Sequence, residues 1–433
     1  MQIPQPVIEV CQTLRARGRS AFVVGGSVRD MLLARPARDW DVATEASGED
    51  VARWFPRINP VGLRHNTVGI CHGGMWIEVT TFRDPAVSLD GDLGLRDFTC
   101  NAMALDPETG NLIDPLGGKQ DLAARRLRAC GSAHERFAED PLRMVRAARF
   151  YADIGCIPDE EVTGAAFAGL ATLAGVAPER IRDEWIKLLL GPEVAAALQW
   201  AAATGLLERL FPAADLSRGV TQNRWHRWDV FYHTIQTVSL AAPSAEVRLA
   251  AFFHDLGKPR TRRWKGGDWT FYNHERISAE IAAADLDRYR FGHDQAKRIV
   301  SLVQNHMFHY DPSWTDAAVR RFVRRVTPEL LDDQFALRAA DSAATGIADP
   351  QETAGELAAL RRRIEAELAA RHAFQIRDLA VDGHDMARLA GGQGAKVGIL
   401  LRYLLEVVTD DPSANDRDTL LRAAEAHLGR LQN

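Results

Sequence analysis

Asp39 and Asp41 stand two apart, behind a pair of adjacent glycines, Gly25 and Gly26, and an arginine, Arg29. On a strand, carboxylates at that spacing share one face, the arrangement that holds divalent cations between acidic oxygens. The glycines follow a run of aromatic and β-branched residues, Ala21 to Val24, that reads as a short buried strand, and they let the backbone turn tightly beside a phosphate. Arg29 offers a planar fork of donors to such a phosphate. The chemistry these residue types can do is metal-assisted phosphoryl or nucleotidyl transfer, in which paired ions stabilise the attacking and leaving oxygens. Glu78, in the strand-like run Trp76 to Phe82, reads equally as an exposed strand residue or as a third acid beside the cations. A glycine pair and two spaced aspartates are each common in loops, so the rest of the chain decides their meaning.

Further on, Asp140 precedes Pro141, the pattern of a helix start with aspartate as cap and proline as first residue. On that helix Arg143, Arg146 and Arg149 recur every third position and form one positive ridge suited to a triphosphate. A second constellation follows in the order His233, His254-Asp255, His274, His306 and Asp341. A single histidine on an apolar helix is ordinarily a core residue, but neutral imidazoles and carboxylates together suit transition metals.

The elements that must position these groups fall into a definite order. Thr67 to His72 and Trp76 to Phe82 read as strands of one sheet, whereas the pattern from about Gly131 turns helical, with an amphipathic helix predicted over 178–189. The tail is helical through 356–368 and 397–408, and the glycines Gly391, Gly392 and Gly394 read as a turn between helices. At 433 residues the chain exceeds what one core supports, so several domains are expected. With 46% hydrophobic and 26% charged residues and no long apolar run, it is predicted to be globular, with no membrane partner. Five scattered cysteines and a start without a secretory pattern predict a reducing, cytoplasmic setting. A net charge of −5 carries no global nucleic-acid signature, so RNA contact would rest on local clusters such as Arg320-Arg321, Arg324-Arg325 and Arg361 to Arg363. Solvated helix faces explain those clusters equally well.

The two glycines with Arg29-Asp30, the paired aspartates, Arg96-Asp97-Phe98-Thr99-Cys100-Asn101, Ile113 to Gly118 and Glu139-Asp140 with Arg143, in this order, closely resemble the class II tRNA nucleotidyltransferases. These are the CCA-adding enzymes and their bacterial poly(A) polymerase relatives. The resemblance implies an α+β fold: a polymerase β-like nucleotidyltransferase head at 1–130, an all-α neck at 131–212, an HD helical domain at 213–345 and a helical tail at 346–433. It implies Asp39 and Asp41 as Mg2+ ligands and Gly26 and Arg29 at the triphosphate. Joined to the reading of the residues themselves, which adds Glu78 as a candidate catalytic acid and the arginine ridge, the expected nucleotide site comprises Gly25, Gly26, Arg29, Arg96, Asp97, Asn101, Glu139, Asp140, Arg143, Arg146 and Arg149. Arg96 and Asp97 match the segment that selects the ribose hydroxyl, and the neck helix is assigned no chemistry. Asp140 and Arg143 match the template for the incoming base. Cytosine and adenine present an amino donor beside a ring-nitrogen acceptor, which a carboxylate and a guanidinium complement, while uracil and guanine reverse that pattern.

The second constellation resembles the HD phosphohydrolases, with His233, His254, Asp255 and Asp341 as core ligands and His274 and His306 near a second metal or the phosphate. That implies hydrolysis of a phosphoester, such as a 2′,3′-cyclic phosphate at an RNA end, with Ni2+, Mn2+ or Co2+. One departure bears on specificity: only residues 83–95 separate Phe82 from Arg96, a short link for the family, and Leu95 replaces a frequent second arginine. The expectation is therefore a CC-adding enzyme that extends the tRNA 3′ end with CTP and leaves the terminal A to a separate A-adding enzyme. A complete CCA-adding enzyme, which would also use ATP, a poly(A) polymerase and a nucleotide-binding HD regulatory protein are the alternatives.

Overall fold

A computed structural model describes residues 3–37, 39–59, 67–83, 88–370 and 372–432. Contacts divide the chain into two compact units, Met1–Pro212 and Ala213–Asn433.

The first unit is built on a mixed seven-stranded sheet of β1 (Ala21–Val24), β2 (Trp40–Thr44), β3 (Ile58–Asn59), β4 (Thr67–His72), β5 (Met75–Thr81), β6 (Ala104–Leu105) and β7 (Leu112–Ile113). The strand order across it is β3-β4-β5-β2-β1-β6-β7. β2 and β5 run parallel, and their register sets Asp41 beside Glu78. β1 runs antiparallel to β2, with Val24 opposite Asp41. The chain leaves β1 through Gly25 at φ +76° and enters the helix Gly26–Leu32. The predicted strands at 67–72 and 76–82 thus form neighbouring members of the sheet. Part of the short link after Phe82, residues 84–87, lies outside the described residues.

Helices follow the sheet. The helix Leu142–Ile154 starts as its sequence requires: Asp140 is extended, Pro141 is already helical at φ −60°, and Asp140 Oδ1 accepts from the Leu142 N–H at 3.2 Å. Gly155, at φ +69°, ends it. The helix Pro178–Leu189 matches its predicted bounds, with Ile181, Glu184, Trp185, Leu188 and Leu189 buried on one face. Buried Glu184 is the exception in that apolar stripe.

The second unit is helical apart from a two-stranded hairpin, Arg263–Lys265 against Asp268–Thr270. Helices Val230–Leu240, Ala245–Phe253, His274–Arg288, His293–Gln304 and Leu331–Ala344 enclose its first core. Helices Gly383–Ala390, Ala395–Asp410 and Arg417–Gln432 pack a separate apolar cluster around Leu400, Leu404 and Leu420. Gly391, at φ +73°, closes the first of these as a turn, in line with its sequence reading. The arginine clusters at 320–325 and 361–363 are largely committed inside this unit: Arg320 pairs with Glu367, Arg321 with Asp410, Arg324 with Glu406, Arg361 with Asp332 and Arg363 with Asp316. Among the described residues no helix is long and apolar enough to cross a membrane.

Candidate functional site

One cavity of about 910 Å³ in the first unit gathers most of the predicted head residues. Gly25, Gly26, Arg29, Asp39, Asp41, Glu78, Arg96, Asp97, Asn101, Asp140, Arg143, Arg146 and Arg149 all line it. Glu139 does not; it faces Arg136 at 2.6 Å and Arg143 at 3.1 Å.

Sheet register explains the acidic end. Asp41 is the second residue of β2, Asp39 directly precedes the strand, and Glu78 flanks Asp41 on β5. Burial, then the neighbouring Glu78 and Asp39, push the Asp41 carboxyl up to about 6, against the opposing pull of Arg96 and Arg83. Asp39 and Glu78, both exposed, act electrostatically on half-buried Asp41 from the same end of the cavity. Carboxylate oxygens of this kind suit a hard divalent cation, although the three do not converge here as one ligand group within 4.8 Å. Gly25 is favoured here by its backbone at φ +76°, and a Cβ would also crowd the site, lying 3.0 Å from Arg96 Nη1 and 3.2 Å from Asp41 Oδ2.

A chain of ion pairs sets the other walls. Arg29 Nη1 donates to Asn101 Oδ1 at 2.7 Å, and Asn101 Nδ2 donates to Asp97 Oδ1 at 3.1 Å. Asp97 also accepts from the Phe98 N–H at 2.8 Å and from Arg146 Nε at 2.9 Å. Burial disfavours its charge, but Arg146, Asn101 and Phe98 outweigh that and hold the carboxyl well below the usual range. Arg146 and Arg149 converge on Glu184 at 3.3 and 3.0 Å. The predicted positive ridge therefore exists, but two of its members are already braced by buried acids.

At the template position Asp140 Oδ2 accepts from Arg180 Nη2 at 2.8 Å. Arg143 Nη2 donates to the Leu95 carbonyl at 3.2 Å, and its Nη1 to Glu139. Arg180 and Lys187 both line the cavity from the helix that the sequence reading left without chemistry. The signal was present: Arg180, Glu184 and Lys187 fall at helical spacing, and a glutamate in an apolar stripe calls for buried cations.

The second unit brings together all six residues of the other constellation. His233, His254 and Asp341 form one potential ligand group, and Asp255, His274 and His306 another. Asp255 joins them, its Oδ2 lying 3.4 Å from His233 Nε2 and 3.2 Å from His254 Nε2, and its Oδ1 3.2 Å from His274 Nε2. The imidazoles of His254, His274 and His306 each place Nδ1 2.7 Å from a backbone carbonyl, of Ala251, Phe271 and Val303. A carbonyl can only accept, so Nδ1 carries the proton and Nε2 presents a lone pair. The Nε2 atoms converge in pairs, His254 with His233 at 3.3 Å and His274 with His306 at 3.2 Å. Converging lone pairs and carboxylates in a buried cluster fit transition-metal cations. Burial opposes charge on His254, yet Asp255 and Asp341 outweigh it and push the imidazole up to about 10, so a proton competes for the same place.

Known proteins align with this architecture. The poly A polymerase head domain family matches residues 21–128, a probable RNA- and SrmB-binding region of polymerase A matches 160–217, and the HD domain family matches 230–345. The CCA-adding enzyme of Geobacillus stearothermophilus is 39% identical over 279 residues, which span 60% of this chain and 66% of that protein, just under two thirds of its length. The CCA-adding enzyme of Lactobacillus delbrueckii subsp. bulgaricus is 39% identical over 213 residues, 46% of this chain and 54% of its own. The crystal structure of Bacillus stearothermophilus CCA-adding enzyme in complex with CTP superimposes with a TM-score of 0.75 at 28% identity, covering 100% of both chains. The Thermotoga maritima CCA-adding enzyme complexed with tRNA shares the fold at a TM-score of 0.57 and 18% identity, covering 98% of this chain and 94% of that one.

Proposed function

We propose that this chain is a member of the class II CCA-adding enzyme family, with a poly(A) polymerase head and an HD domain, and transfers CMP from CTP to the 3′ end of tRNA. The observation that carries the reading is a single cavity lined both by Asp39, Asp41 and Glu78 and by Asp140 and Arg143. In the reaction the tRNA 3′-hydroxyl oxygen bonds to the α-phosphorus of CTP, the bond to the bridging oxygen breaks, pyrophosphate leaves, and the hydroxyl proton is released. Asp39 and Asp41 would hold Mg2+, with Glu78 beside them; bound there, the cation supplies charge stabilisation to the attacking and leaving oxygens. Arg29, Arg146 and Arg149 offer positive charge to the triphosphate, while Arg96 and Asp97 contribute at the ribose, Asp97 by orienting Asn101 and Arg146. Asp140 accepts from the cytosine amino group and Arg143 donates to the ring nitrogen, so uracil would leave buried polar groups unpaired.

The CC-restricted reading is supported by the short link 83–95 and by its last residue. The Leu95 carbonyl holds Arg143 at 3.2 Å, tying the base-reading guanidinium to the end of that link and limiting how far the template can rearrange for ATP. A separate A-adding enzyme would then complete the tRNA. Recognition of tRNA rests on shape and backbone, because the substrates share an acceptor stem and elbow rather than a sequence. Asp140→Asn tests the template: CTP over UTP selectivity is expected to fall on the order of tenfold or more, as one mispaired buried group implies. Unchanged nucleotide preference would remove Asp140 from the role.

The HD cluster carries a second activity, hydrolysis of a phosphoester, in which water oxygen bonds to phosphorus and the ester oxygen leaves with a proton. His233, His254 and Asp341 would hold one cation and His274 and His306 another, with Asp255 shared; the bound metals would make water a nucleophile near neutral pH. Lys258, whose Nζ lies 2.6 Å from Asp255 Oδ2, steadies the shared carboxylate.

A further inference from the structure

The strongly exposed aromatic side chains of the described residues are unevenly placed. Trp225, Trp228, Tyr232, Trp264 and Tyr272 fall within one stretch, and only Trp76 and Phe167 lie elsewhere. Trp225, Trp264 and Tyr272 are 64%, 62% and 69% exposed, a cost in water that a folded chain has no structural reason to bear three times in one region.

Cations alternate with these rings. Between Lys258 and Tyr272 the sequence carries Lys258, Arg260, Arg262, Arg263 and Lys265 against a single acid, Asp268. The Arg262 guanidinium lies 3.6 Å over the Trp269 ring, Arg227 lies 4.9 Å over Trp228, and the Lys265 ammonium is 5.8 Å from the Tyr272 ring. In the hairpin Trp264 is paired with Trp269, their rings 4.9 Å apart and edge-on. Arg224 Nε reaches Asp268 at 3.1 Å and Arg262 donates to Thr221, so the 221–228 loop and the hairpin form one surface.

That surface is strung on the segments that hold the metal-ligand cluster. His226, between Trp225 and Arg227, packs its ring edge-on against His233 with centroids 5.0 Å apart. Tyr272 stands two residues before His274, and Lys258 bridges Asp255 and Gln222 with bonds of 2.6 Å to each. His233, His254 and Asp255 are themselves buried, so the group they act on must be small and terminal.

We propose that this aromatic and basic surface is a stacking platform for a single-stranded RNA end, whose terminal phosphoester it delivers to the HD cluster. The inference rests on the phosphohydrolase reading for its substrate class and not for its binding chemistry. Bases stack on the exposed rings whatever their identity, while the interleaved guanidinium and ammonium groups meet the phosphates. A protein partner would gain from the rings but would have to desolvate the cations; a polyanion with flat bases uses both.

The test uses the full chain and a fluorescein-labelled single-stranded RNA of about five nucleotides, within the span one such site covers, carrying a 3′-hydroxyl and no hydrolysable end, without CTP. Anisotropy titrations compare the wild type with Trp264→Leu/Tyr272→Leu and Trp264→Phe/Tyr272→Phe, circular dichroism verifying that each is folded. Loss of two stacking faces is expected to weaken binding at least roughly tenfold in the leucine pair, while the phenylalanine pair stays within a few-fold of wild type and Trp76→Leu has no effect. Equal affinity for wild type and the leucine pair, or an equal loss in the phenylalanine pair, would overturn the platform. Hydrolysis of the base-free ester bis(p-nitrophenyl) phosphate is measured in parallel. Hydrolysis with binding indifferent to the variants rejects the platform and keeps the phosphohydrolase reading; variant-sensitive binding without hydrolysis does the reverse.

Discussion

Arg180 Nη2 donates to Asp140 Oδ2 at 2.8 Å, and Nη1 reaches Asp140 Oδ1 at 3.4 Å. The pair joins the helix Pro178–Leu189 to the residue that reads the incoming base in the proposed reaction. Arg180 is half exposed and Asp140 about a third, so the pair adds little to stability and its value lies in aiming the carboxylate. Arg180→Gln is expected to leave the unfolding midpoint nearly unchanged while lowering kcat/KM for CTP on the order of tenfold. Steady-state kinetics with denaturant melts check this. A fall in stability without a fall in kcat/KM would make Arg180 a structural residue only.

Protons and cations should compete at the head. Because burial and Glu78 raise the Asp41 carboxyl to about 6, above its unfolded value near 3.9, the folded unit gains from protonation at low pH. That gain is lost as pH rises through about 6, and the exposed repulsion is then open to relief by Mg2+. Mg2+ is expected to raise the melting temperature more at pH 8 than at pH 5, and Asp41→Asn to shrink that difference. Thermal-shift titrations at both pH values decide; equal shifts would argue against cation binding at these carboxylates.

Much of the head was legible because its cues are local: a β-branched run, a glycine turn, carboxylates two apart and an aspartate-proline helix start each fix geometry within a few residues. The six HD residues were legible because their types suit one chemistry. What the sequence left hidden depends on packing between distant segments. Arg180 and Glu184 read as ordinary charges on an amphipathic helix until Asp140, Arg146 and Arg149 are seen across from them. Arg320 and Arg321 likewise gave no hint that their partners, Glu367 and Asp410, lay tens of residues away. Asp97 matched a nucleotide-binding segment, yet only the fold places four donor nitrogens, from Phe98, Asn101 and Arg146, around its carboxylate.

Glu184 gives the stability counterpart of this lesson. Its carboxylate is 8% exposed and faces both Arg146 and Arg149. Glu184→Ala takes away the carboxylate that ion-pairs with Arg149 and one of the two that ion-pair with Arg146, so a loss of about 3 kcal/mol is expected, the low end for breaking a buried pair. Urea unfolding of the variant measures it. A change within about 0.5 kcal/mol, the range of ordinary surface substitutions, would place Glu184 outside the bracing network.

The two chemistries should separate genetically. His254→Ala with Asp255→Ala removes one imidazole and the shared carboxylate, so hydrolysis of a 2′,3′-cyclic phosphate with added Ni2+, Mn2+ or Co2+ is expected to fall by roughly a hundredfold or more. CMP transfer, whose proposed residues all lie in the first unit, should continue. Hydrolysis that survives the double substitution would assign the cluster a structural role.

The most direct test incubates the purified chain with tRNA lacking its CCA end, CTP, ATP and Mg2+, and sizes the product at single-nucleotide resolution. Extension by two nucleotides, with ATP making no difference and Asp39→Asn/Asp41→Asn giving none, is the predicted result. Extension by three would contradict the CC restriction, and no incorporation of CMP by the wild type would contradict the transferase itself.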